Sequence, residues 1–164
     1  MVTNLCRHYI DPRPSTRPDM QTLDEFSHSS ATRSGSGVNV LVVDDETAVR
    51  RFAVRVLQRE GYEVLEAADG HEALEMIRAG QVTVDLIVSD IVMPRVNGVE
   101  LMQAVAESHP EVPVVLMSGY ATAALSELGI ATPCSILPKP FPAERLLAEV
   151  YRCIRSRGGG SSAA

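Results

Sequence analysis

Five short apolar runs, each followed by a stretch of helical spacing, constrain this chain more than any other feature of it. Val38 to Val43, Tyr62 to Leu65, Val84 to Val88 and Val112 to Met117 are mostly apolar and β-branched, and a weaker run ends at Ile136-Leu137. Near-continuous apolar strands belong to a parallel sheet covered on both faces, because a sheet wetted on one side would alternate apolar with polar. The segments between them read as helices. From Glu46 to Glu60 the residues Val49, Phe52, Ala53, Val56 and Leu57 share one face, and Gly61 supplies the stop. Asp69 is the expected N-cap of a helix over Gly70 to Ala79, with Glu72 placed to support it and Gly80 ending it. Gly98 to Glu107 turns Leu101, Met102 and Val105 inward, Ala121 to Leu128 is a short candidate, and Pro142 opens a last helix carrying Leu146, Leu147, Val150 and Ile154. Five such βα units predict an α/β fold with an open, doubly wound, five-stranded parallel sheet.

Residues 1–37 hold Pro12, Pro14 and Pro18 and a Ser/Gly stretch, with four Arg against four acids, and read as a flexible N-terminal tail. Residues 157–164 read as a flexible Gly/Ser tail, which leaves 38–156 as the folded domain. No apolar run approaches the length of a membrane helix, and Met1 to Ile10 lacks the apolar core of a signal peptide, so membrane insertion is not expected and the cytoplasm is the expected location. The net charge of −6 argues against a nucleic-acid surface and suits a site that gathers carboxylates. Cys6, Cys134 and Cys153 show no metal-ligand or redox spacing and are expected to be free thiols.

Placing the polar residues on this scaffold locates the site. Asp44 and Asp45 follow the first strand, Asp90 the third, Ser118 the fourth and Lys139 the fifth. In a parallel sheet all of these fall at the same carboxyl-terminal edge, where ligands of such folds bind. Three crowded carboxylates repel one another, and a hard divalent cation with oxygen ligands, Mg2+, relieves that repulsion. The metal and the Lys139 ammonium would together offset charge on an incoming phosphoryl group, and the Ser118 hydroxyl could donate to another of its oxygens. Asp90, on the central strand, is the expected nucleophile and would form an acyl phosphate.

The runs Val40-Leu41-Val42-Val43-Asp44-Asp45-Glu46, Ser89-Asp90-Ile91-Val92-Met93-Pro94-Arg95-Val96-Asn97-Gly98, Met117-Ser118-Gly119-Tyr120-Ala121 and Lys139-Pro140-Phe141, in that order, resemble the response regulator receiver family of two-component signalling. The resemblance covers roughly residues 38–156 and implies a flavodoxin-like strand order 2-1-3-4-5. It implies Asp90 as phosphoacceptor, Asp45 as a direct metal ligand, Asp44 as one acting partly through water, and the Val92 carbonyl as the third protein ligand. It implies Ser118 and Lys139 as the phosphoryl-sensing pair, Gly119 as the small residue that leaves the phosphoryl path open, and a cis Lys139-Pro140 bond. The sequence departs from the family at Ile136, where an aromatic residue usually swings inward with the switch hydroxyl. An aliphatic side chain cannot make that move, and Tyr120 is the nearest aromatic. Val92 is apolar where its side chain should overlook the attack path, which should disfavour water and slow loss of the phosphoryl group.

Each residue alone has a plainer reading: Asp44-Asp45 as helix cap and solvated acids, Asp90 as a turn residue, Lys139 as surface charge, Ser118 as a loop hydroxyl. Their joint placement outweighs these. His71-Glu72 lacks the partner spacing of a zinc helix. A haloacid-dehalogenase-type phosphatase would need a second acid where Val92 stands, no P-loop occurs, and Gly35-Ser36-Gly37 precedes the first strand where a dinucleotide fingerprint would follow it. The expected partner is a histidine kinase or histidine phosphotransfer protein. A downstream protein would read residues 121–155, and no output domain is expected in this chain. The Met117 to Ala121 run resembles receivers attached to hybrid sensor kinases. The alternatives are a non-phosphorylated docking module and a phosphate sink that competes for a kinase.

Overall fold

The computed structural model describes residues 37–80, 83–119 and 133–157, all within the unit that spans Thr32–Ala164. The expected tails and the expected helix over Ala121 to Leu128 lie outside the described residues, apart from Gly37 and Arg157 at the tail borders. In chain order the elements are β1 (Asn39–Val43), α1 (Thr47–Arg59), β2 (Glu63–Ala67), α2 (Gly70–Ala79), β3 (Leu86–Asp90), α3 (Gly98–Ser108), β4 (Val114–Ser118), β5 (Ser135–Pro138) and α4 (Ala143–Arg157). The five strands form one parallel sheet in the order β2-β1-β3-β4-β5.

Because side chains alternate across a strand, each strand feeds two cores. Val40, Val42, Leu86, Val88, Val115, Met117 and Leu137 face one side, where Ala53 and Leu57 of α1 and Leu146, Val150 and Cys153 of α4 close over them. Leu41, Val43, Ile87, Val114 and Leu116 face the other, under Ala73 of α2 and Leu101, Met102 and Val105 of α3. Each fully buried Leu or Ile contributes roughly 2 kcal/mol of transfer free energy. Covering both faces is what makes β3 and β4 buried at every position. Phe52 is not part of this core as the helical stripe suggested. It is 41% exposed at the rim of the α1 face, its ring 6.2 Å from that of Phe141.

Local signals explain the helix starts. Asp69 caps α2 by accepting from the Glu72 amide, and Asn97 forms a reciprocal capping box with Glu100 at α3. The chain leaves β1 outward to β2 and then returns across it to β3. The direction of winding therefore reverses between β1 and β3, and their carboxyl ends flank a crevice.

Candidate phosphoryl-transfer and metal site

Val43 pairs with Ser89, so the next residue of each strand, Asp44 and Asp90, emerges on opposite lips of that crevice. Asp44 is fully buried, Asp90 nearly so, and Asp45 exposed. One carboxylate oxygen from each of Asp44, Asp45 and Asp90 lies within 4.8 Å of the others. Three carboxylate oxygens gathered this closely suit a small hard cation that takes oxygen ligands, such as Mg2+. Lys139 follows β5 directly, and its ammonium lies 2.8 Å from Asp44 Oδ2 and 2.9 Å from Asp90 Oδ1. It thus bridges acids from both lips.

Burial pushes the Asp44 carboxyl above the ordinary aspartate range, against the pull of Lys139 and of the Glu46 N–H that donates to Oδ1 at 2.8 Å. Burial also works against the Lys139 ammonium, but hydrogen bonds and charge from Asp44 and Asp90 outweigh it, and its pKa is raised. Lys139 is therefore held charged at neutral pH.

The remaining predicted residues are placed as follows. Ser118 ends β4 and is buried; Gly119 is exposed, with nothing within 4 Å of where a Cβ would stand. The Lys139 amide donates to the Ser118 carbonyl at 2.7 Å, tying the ends of β4 and β5 together, and the Lys139-Pro140 bond is cis. Val92 is 65% exposed on the loop after β3. Ile136 is half-buried and pairs with Leu116, so it faces away from α4. Tyr120 lies outside the described residues.

Several contributors are not evident from the motifs. The buried Ser89 hydroxyl donates to the Asp90 carbonyl at 2.9 Å; its only sequence signal is one polar residue inside an apolar strand. Arg50 donates to the Asp44 carbonyl at 2.7 Å and reaches Glu66 at 3.3 Å. A Cβ on Gly98 would stand 2.1 Å from the Asp90 carbonyl oxygen, so only glycine lets the β3–α3 loop fold back there. That loop is also tied to α2: Arg95, at φ 67°, pairs with the buried Asp69, and the Gly70 amide donates to the Val96 carbonyl at 3.2 Å.

The cysteine expectation is corrected. Cys134 and Cys153 form a disulfide, with Cα atoms 5.9 Å apart and a sequence separation of 19. The fold packs the start of β5 against the last turns of α4, a juxtaposition that no local spacing encodes. Cys6 lies outside the described residues.

Residues 40–151 match the family described as the response regulator receiver domain. The chain is 41% identical over 128 residues to the sensor kinase CckA of Brucella abortus, covering 77% of this chain and 14% of that protein. A crystal structure of the receiver domain from the hybrid histidine kinase CckA matches at 39% identity and a TM-score of 0.59, covering 71% of this chain and 98% of that one. The response regulator TrrA of Thermotoga maritima, in complex with Mg(2+)-BeF, matches at 29% identity and a TM-score of 0.62, with 71% and 98% covered. The chain spans about half the length of the curated response regulators it matches. Among the described residues no helix is long and apolar enough to cross a membrane.

Proposed function

Since this chain belongs to the response regulator receiver domain family of two-component signalling, we propose that it accepts a phosphoryl group on Asp90 from a histidine kinase or histidine phosphotransfer protein in the cytoplasm. A carboxylate oxygen of Asp90 attacks phosphorus, the phosphorus–nitrogen bond of the donor phosphohistidine breaks, and neutral imidazole leaves once it has gained a proton. Asp44, Asp45, Asp90 and the Val92 carbonyl would hold Mg2+, which supplies positive charge to the phosphoryl oxygens. Lys139 neutralises a further oxygen, Ser118 donates to another, and Gly119 leaves their path clear. The observation that carries this reading is the convergence of three carboxylates within 4.8 Å of one another, bridged by the Lys139 ammonium at 2.8 and 2.9 Å. Catalysis of phosphoryl transfer is mostly positioning and charge compensation, and this cluster offers both.

Mass spectrometry of the full chain after incubation with acetyl phosphate and magnesium tests the reading. One phosphoryl increment is expected, and it should vanish with Asp90→Asn; an unmodified wild-type chain refutes the proposal and favours the docking module. The chain has no Trp, so intrinsic tryptophan fluorescence offers no readout. The exposed Val92 presents no polar atom from its side chain to hold an attacking water. Val92→Asn is therefore expected to speed loss of the phosphoryl group several-fold, and slower loss would contradict the role. Signal readout over residues 121–155 belongs to the same proposal, with Ile136 on the sheet face it shares with Leu116 and Tyr120 outside the described residues.

A further inference from the structure

We propose that Cys134 and Cys153 are a redox-reversible pair, a second covalent input to this receiver, whose state sets how firmly β5 is held. Two features of the site carry the inference. The pair is asymmetric: Cys153 is fully buried in the core beneath α4, whereas Cys134 is partly exposed just ahead of β5. The two residues line a surface cavity of about 380 Å³ with Glu111, Pro113, Ser156 and Arg157, room enough for a small thiol compound to approach the Cys134 sulfur. The Ser156 hydroxyl lies 4.0 Å from that sulfur, and the Arg152 guanidinium donates to the Cys134 carbonyl at 2.9 Å. Exchange depends on access to the attacking sulfur, and Cys134 is the more exposed of the two.

The chemistry needs only a small diffusible disulfide as oxidant. The Cys134 thiolate attacks one sulfur of that disulfide and expels one thiolate, leaving a mixed disulfide. The Cys153 thiolate then attacks the Cys134 sulfur and expels the second. Two protein thiols become one disulfide, and the small disulfide becomes two thiols; excess thiol reverses both steps.

The structural consequence follows from what β5 lacks. It is a four-residue edge strand with β4 as its only strand neighbour among the described residues. The amides of Cys134 and Lys139 bracket it, bonded to the carbonyls of Val114 and Ser118. Severing the bond to α4 removes the covalent tie at the end of the strand away from Lys139 and leaves that end to hydrogen bonds alone, from Ser135 to Glu149, from Arg152 to the Cys134 carbonyl and from the Cys134 amide to Val114.

The full chain, unphosphorylated, is equilibrated with defined ratios of a small thiol and its disulfide, then trapped with an alkylating agent. Oxidising ratios should protect Cys134 and Cys153 and leave Cys6 reactive, with one peptide joining the protected pair. Reducing ratios should expose Cys134 first. Amide exchange from Cys134 to Leu137 should quicken on reduction by on the order of tenfold, with β1 and β3 unchanged, and Cys134→Ser should match the reduced form under either condition. Alkylation of both residues at every ratio overturns the proposal. So does a disulfide to Cys6, or β5 exchange that ignores the redox state. None of these readings uses Asp90, so they stand or fall apart from the phosphorylation experiment.

Discussion

The central strand β3 and the edge strand β5 each deliver one charge to the same rim, and they are held there by different means. β3 lies between β1 and β4, is buried at every position, and places Asp90 by two hydrogen-bonded ladders. Among the described residues β5 has one ladder and a shorter run, and only Leu137 of its four residues is fully buried. Its start is fastened to α4 by the Cys134–Cys153 bond, by Ser135 donating to Glu149 at 2.7 Å, and by Arg152 on the Cys134 carbonyl. The anion is therefore held by a ladder on each side, whereas the cation stands at the far end of a strand with one ladder whose start is clasped to α4. Under the proposed function, a carboxylate held on both sides facing a cation on a less constrained edge suits the sensing of a new charge, because the less constrained partner can follow it.

The largest effect should come from removing the charge that joins the two strands. Lys139→Met leaves Asp44 buried without a counter-charge, and breaking a buried pair in this way costs about 3–5 kcal/mol. The sign with pH is definite. Burial, no longer opposed by the ammonium, should raise the Asp44 carboxyl further, so the folded mutant binds a proton before the unfolded chain does. Its deficit should shrink as pH falls and grow as pH rises through that raised value. Urea midpoints without magnesium across the acid range would show it; a constant deficit would mean that the pair contributes no charge energy. On the β3 side, Gly98→Ala sets a Cβ against the Asp90 carbonyl oxygen. The cost should be about 3 kcal/mol or more, together with lost acetyl phosphate labelling, since the shift falls on Asp90 itself. On the β5 side, Cys134→Ser opens a loop closed across 19 residues, worth about 3 kcal/mol by loop entropy. Labelling should survive this change, because the ladder to β4 remains. Equal labelling losses in the two variants would erase the distinction between the strands.

What the sequence makes legible follows the same division. β1, β3 and β4 announce themselves because strands buried on both faces must be apolar throughout, and the polar residues that end those runs, Asp44, Asp90 and Ser118, then fall together at one rim. The β3 boundary is the instructive miss. The apolar run suggests Val84 to Val88, while pairing continues to Asp90 opposite Met117 because the backbone ladder does not depend on side-chain polarity. The clasp on β5 is illegible for a different reason. Cys134 with Cys153, Ser135 with Glu149 and, at the far loop, Asp69 with Arg95 are pairs that only the packing of α4 and of the β3–α3 loop brings together. Phe52 shows the limit of periodicity: a stripe gives the direction of a helix face but not how far its partner covers it.

The smallest expected effect tests whether the clasp has an electrostatic part beside its covalent one. Glu149 has a carboxyl held below the ordinary glutamate value of 4.5, chiefly by the Ser135 hydroxyl and then by Arg152 and Arg145, with burial opposing. A depressed carboxyl stabilises the fold above its unfolded value, and that stabilisation is lost as pH falls through the lower folded one. Glu149→Gln keeps the shape and an acceptor for Ser135 but removes the charge that both arginines face. At neutral pH it should cost about 1 kcal/mol, and the cost should vanish in acid, where wild type and variant would unfold at the same urea concentration. The measurement is best made on the reduced protein, where the disulfide no longer masks a loosened strand. Parallel curves for the two proteins at every pH would mean that β5 is held by its ladder and the sulfur bridge alone.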